Sequence, residues 1–132
     1  MKGLDAFIDA RRGTAFAWGS HDCATLAADW ALQRTGVDPL ADLRGMGTQP
    51  LARMRLLRRA GGYMQAAVDR LGPARPGAFA RRGDVVLLRT GHRGQRMAHR
   101  AFGVCVGIHA VTTGAHGLVF MPITDVEAAW CV

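Results

Sequence analysis

The chain is short of several things, and each shortage excludes something. Lysine is almost absent: of seventeen basic residues Lys2 is the only lysine and the other sixteen are arginine. Cysteine is scarce, with three widely spaced residues (Cys23, Cys105 and Cys131). An odd, scattered set in a chain without a secretion signal argues against a disulfide framework. No Cys-x-x-Cys pair occurs, which removes the commonest signature of a structural zinc site. No apolar run approaches the roughly 18–20 residues that a membrane span needs, so none is expected. The opening Met1–Asp9 carries two aspartates that interrupt any apolar stretch. It does not read as a signal peptide, and synthesis in the cytoplasm is expected. No internal repeat, low-complexity tract or phosphate-cradling glycine loop is present.

What remains is an ordinary globular composition. The 132 residues are 49% hydrophobic, enough for one domain over 1–132 with a normal core. The net charge of +7 reads either as a basic, soluble surface or, more sharply, as a match for an acidic partner, nucleic acid or an acidic protein face.

Apolar spacing predicts helices over Leu4–Arg11, Cys23–Thr35, Pro50–Ala60 and Tyr63–Leu71. Asp22 is a good N-cap for the second, and Gly36 a good stop. Cys23, Leu26, Ala27, Trp30 and Ala31 fall on one stripe of that helix. Three later segments rich in valine, isoleucine and phenylalanine predict strands over Asp84–Leu88, Phe102–Val111 and Leu118–Ile123. Between the first two lies a polar loop, Thr90–Arg100, and the tail Asp125–Val132 reads as a short helix or an edge strand carrying Trp130. Helices first and strands after predict an α+β fold, with an antiparallel sheet packed on the N-terminal helices.

Residues 15–31 carry the most chemistry. Cys23 opens a helix just after a glycine-containing loop. Unpartnered helix-start amides and the helix dipole both lower a thiol pKa, so a reactive thiolate is one reading of Cys23, and a buried structural thiol that packs at the helix end is the other.

The order of local motifs resembles the papain-like fold and, more narrowly, the NlpC-type cell-wall peptidases. His21-Asp22-Cys23-Ala24-Thr25-Leu26 is similar to that family's cysteine helix start, Arg82-Gly83-Asp84-Val85-Val86-Leu87 to its Gly-Asp-Leu-Val strand, and Gly103-Val104-Cys105-Val106-Gly107 to the strand after its catalytic histidine. The chain resembles still more closely a phage-associated family of small uncharacterised proteins of that fold. The shared set is Trp18-Gly19, Asp22-Cys23, Thr35–Pro39, Leu43-Arg44-Gly45, Gly61-Gly62, Arg82–Leu87, Phe102–Gly107 and Gly117–Pro122. This resemblance implies a phage tail protein of the tip or hub, made in the host cytoplasm and located in the virion, with other tail proteins as partners.

A thiol hydrolase needs a base beside the sulfur and a third group to orient it. Carried over from the resemblance, the histidine position falls on Ala101 and the orienting position on Met121, within the apolar Val119-Phe120-Met121. Neither can serve, which implies a degenerate peptidase working through protein contacts. The alternative is an active hydrolase of peptidoglycan peptides with Cys23 as nucleophile. His99 is then the first candidate base, two residues before Ala101 on the same side of an extended strand. His21 and His109 are further candidates; His92 and His116 read as loop histidines.

Two other readings are weaker. Cys105 and His109 would lie about 13 Å apart on the strand expected there, too far to share a zinc, so no metal or cofactor is expected. Arg53, Arg55, Arg58 and Arg59 form a basic helix face, with Arg93, Arg96 and Arg100 on the polar loop. Without interleaved aromatics or a recognition motif, a solvated face is the simpler reading, and DNA binding ranks third. Phe16, Trp18 and Trp30 are expected to build the core beside Cys23, with a tryptophan in a substrate groove as the alternative.

Overall fold

The computed structural model describes residues 2–44, 50–90 and 99–132, with the side chains of 50–54 and 99 outside the description. Helix α1 spans Leu4–Arg11 and buries Leu4, Phe7 and Ile8 along one face. Helix α2 spans Cys23–Thr35 and is closed at both ends by local chemistry. The Asp22 carboxylate accepts from the Thr25 amide at 2.9 Å, and the Thr25 hydroxyl accepts from the Asp22 amide at 2.8 Å. Two orphan donors are thereby satisfied reciprocally. Gly36, at φ 78°, ends the helix in a conformation that side-chain-bearing residues avoid. Helices α3 (Pro50–Ala60) and α4 (Tyr63–Leu71) follow. All four helices stand where apolar spacing predicts them.

The strands are β1 (Arg75–Pro76), β2 (Val85–Thr90), β3 (His99–Cys105), β4 (His109–Thr112), β5 (Val119–Pro122) and β6 (Val126–Trp130). They form one antiparallel sheet in the order β1-β6-β2-β3-β4-β5. The fold is therefore α+β, helices first and sheet second. No helix among the described residues is long and apolar enough to cross a membrane.

Two strand expectations are corrected. Phe102–Val111 is not one strand but two, because the chain reverses at Gly107, whose φ of 127° suits glycine alone, and the Val106 amide bonds to the His109 carbonyl at 2.9 Å. The tail is neither a helix nor an edge. β6 lies inside the sheet between β1 and β2, and buries Ala128 and Trp130 on one face and Ala129 on the other.

Alternation along the strands divides the core in two. On one face Val85, Leu87, Phe102, Val104 and Trp130 pack against Leu26 and Trp30 of α2 and Phe7 of α1. On the other, Val86, Leu88, Cys105, Ala110 and Ala129 form a smaller cluster. The Trp30 indole N–H donates to the Gly83 carbonyl at 2.7 Å, which pins α2 to the entrance of β2. Just beside it, Asp84 is buried, pairs with Arg75 at 2.5 Å and accepts from the Arg81 amide at 2.8 Å. The Arg-Gly-Asp sequence thus has a structural role.

Gly103 has no room for a side chain: a methyl group there would strike the Val111 carbonyl oxygen and come within 3.1 Å of the Leu88 side chain. Gly103→Ala is expected to cost about 1–3 kcal/mol in urea unfolding, while Gly13→Ala, which meets nothing within 4 Å, changes stability by less than about 0.5 kcal/mol.

Candidate functional site

Cys23 lies where α2 begins and packs against β3 and α4. Its thiol is pushed up from the ordinary cysteine range, not down. Burial is the largest cause. The backbone amides of Phe102, Ala24 and Cys23 itself oppose it, and the neighbouring Asp22 carboxylate adds to it. This corrects the expectation of a thiolate. The helix N-terminus does act on the sulfur, but removal from water and a fixed negative charge next door outweigh it. Tyr63 stands close enough for a charge on Cys23 to raise the phenol, which burial raises first. The Tyr63 ring also leans on Phe102, with centroids 5.8 Å apart at 54°.

The sulfur sits at one end of an apolar cleft of about 640 Å³. Its floor is α2 from Cys23 to Ala31, about 12 Å at 1.5 Å per residue, kept low by Ala24, Ala27, Ala28 and Ala31. Its walls are the 38–44 segment, α3 and α4, through Leu40, Leu43, Leu56, Leu57 and Ala67 among others. Trp18 and Gly19 close the Cys23 end, and the Gly19 amide is tied to the Asp22 carboxylate at 2.9 Å. Trp18 is 44% exposed and meets Phe16 edge-on, so this tryptophan lines a groove while Trp30 alone of the two is core.

No histidine of the described residues lines the cleft. His99 opens β3 opposite Thr90, and its side chain lies outside the described residues; His92, Arg93 and Arg96 lie outside them altogether, as does the side chain of Arg53. Ala101 is on the sheet face turned away from α2, the face it shares by alternation with Gly103 and Cys105. The β3 residue that meets Cys23 is Phe102. Met121 packs on the same far face, on a strand separated from β3 by β4. The strand after β3 instead contributes Thr112, whose hydroxyl donates to the Phe102 carbonyl at 2.8 Å. Cys105 is buried and His109 exposed, on opposite sides of the β3–β4 turn. Among the described residues no three His, Cys, Asp or Glu side chains gather as metal ligands would.

His21 is 7% exposed, paired through its backbone with Ala17, and its Nε2 has no hydrogen-bond partner. Burial, and next Arg11, hold its pKa below the ordinary histidine value, against Asp29 and Asp22. Tyr63, Phe102 and Leu40, which complete the cleft, were not singled out as site residues by sequence; Tyr63 read only as a helix start.

The class these features define is an α+β protein with a half-buried cysteine at a helix start, opening on an apolar cleft. The chain belongs to the family described as a domain of unknown function, DUF6950, whose model matches residues 1–132. No curated protein and no solved structure matches it.

Cys23 and His21 each make stability depend on pH. The Cys23 thiol is raised in the folded chain, so its contribution is complete below the unfolded thiol value, about 8.5, and is lost as pH rises through the folded value. Cys23→Ala is expected to flatten the alkaline decline in urea-unfolding free energy; an unchanged slope contradicts the assignment. His21 is lowered, so its contribution is complete above about 6.5 and is lost as pH falls toward the folded value. Replacing it by Leu is expected to remove the stability slope between roughly pH 6.5 and 5, before carboxylates dominate.

Proposed function

We propose that the chain is a non-hydrolytic assembly component of a phage tail, in the tip or hub region, built on a papain-like, NlpC-type scaffold and acting through contacts with other tail proteins. The motif set from Trp18-Gly19 to Gly117–Pro122 supports the phage affiliation, and the helices-then-sheet order with Cys23 heading α2 is compatible with the scaffold. The observation that carries the non-hydrolytic part is the environment of the sulfur. A nucleophilic thiol is poised by a lowered pKa and an adjacent base. Here burial raises it, a carboxylate stands beside it, and its described neighbours on β3 and α4 are Phe102 and Tyr63. The cleft it opens on suits apolar side chains of a protein partner.

The rival reading, a hydrolase of peptidoglycan peptides, draws on one observation: the amides of Cys23 and Ala24 act on the sulfur, where an oxyanion would also form. The two readings separate cleanly. Purified protein incubated with bacterial sacculi is expected to release no peptide fragments, and phage carrying Cys23→Ser to assemble and infect as the parent does. Fragments that disappear with Cys23→Ala would overturn the non-hydrolytic reading.

A further inference from the structure

The arginines around the cleft fall into two groups. Those on the 38–44 segment and α4 are already neutralised: Arg44 pairs with Asp29 at 2.7 Å and Asp38 at 2.9 Å, and Arg70 with Asp42 at 2.7 Å. The described side chains of α3 are not. Arg55, Arg58 and Arg59 are exposed and have no acidic partner among the described residues. Their spacing puts them on neighbouring turns, and Arg59 itself borders the cleft that Leu56 and Leu57 help to wall. The apolar cleft therefore has Arg59 on its rim, with Arg55 and Arg58 on the adjoining exposed surface of α3, in a chain of net charge +7.

From this juxtaposition we infer that the cleft receives an acidic amphipathic segment of a partner protein, its apolar side chains between α2 and α3 and its carboxylates on Arg55, Arg58 and Arg59. The inference rests on the docking reading above and names the partner's chemistry. A floor of about 12 Å accommodates two turns of a helix, whose i, i+3, i+4 apolar residues would fill the channel and whose flanking carboxylates would reach the α3 rim. Guanidinium groups bind carboxylates bidentately, which fixes register as well as charge. Duplex DNA would meet the arginines but leave the apolar channel unused. Trp18, half exposed at the Cys23 end, is placed as an anchor against such a segment.

The test is selection of a random peptide display library, with peptides of about 16 residues and so about four helical turns, on the full chain. A parallel selection uses Arg55→Glu/Arg58→Glu/Arg59→Glu, with circular dichroism to establish that this surface variant folds. Enriched peptides are expected to carry Asp or Glu three and four residues apart beside a Leu, Ile or Phe stripe. A synthesised winner is expected to lose affinity by about tenfold or more on the triple variant, and to slow alkylation of Cys23 in the wild type. Enrichment of neutral or basic peptides, absence of enrichment over bare support, or affinity indifferent to the charge reversal would overturn the inference. So would a duplex of about 20 base pairs that binds more tightly than any winner and is lost on the same variant. A chain inert on sacculi but without acidic enrichment fails here alone. A chain that cleaves sacculi yet selects acidic peptides overturns only the non-hydrolytic reading.

Discussion

The Asp22 carboxylate sets the terms for everything around it. It accepts from the Thr25 and Gly19 amides, so one group both starts α2 and holds the loop that carries Trp18 against the cleft mouth. A side chain that caps a helix in this way is worth about 0.5–2 kcal/mol of stability. The same charge lies next to Cys23 and opposes a second negative charge on the sulfur. A helix start is positive only while its potential is uncompensated; once a buried carboxylate occupies it, a neighbouring thiol gains little. The order of residues Asp-Cys thus makes a stable helix end and adds, after burial, to the upward push on the thiol.

The sheet completes that effect from the other side. Trp30 fastens α2 to the Gly83 carbonyl, which brings the helix start over β3. The strand's alternation then decides which residue faces the sulfur. Phe102 and Val104 point to α2, while Ala101, Gly103 and Cys105 belong to the far face. Phe102 meets the thiol through its backbone amide, and its ring packs on Tyr63, which lines the same cleft. The same packing that raises the thiol leaves an apolar cleft beside it, the feature on which the proposed docking role rests.

The sequence made the helices legible because their signals are local. Asp22, the apolar stripe through Trp30 and the glycine after Thr35 define α2 without reference to anything distant, and the cysteine's place at its first turn followed. The strands were less legible. Phe102–Val111 is apolar but for its glycines and His109, and the left-handed conformation of Gly107, which no spacing announces, breaks it in two. The electrostatics of the thiol was not legible at all. The sign of its shift is set by burial, which outweighs the amides of Phe102, Ala24 and Cys23 itself, and burial is made by elements distant in sequence. The face that Ala101 occupies was not legible for a related reason: a shift of one residue in strand register exchanges the two faces of a sheet.

The direct test of this account is the titration of Cys23 itself, followed through its Cβ carbon by NMR in protein labelled at cysteine. The account requires a single midpoint above the ordinary thiol value of about 8.5, with no inflection in the range where histidines titrate. A midpoint below neutrality, or a step near pH 6–7 shared with an imidazole, would mean that a base holds the thiolate and would contradict it.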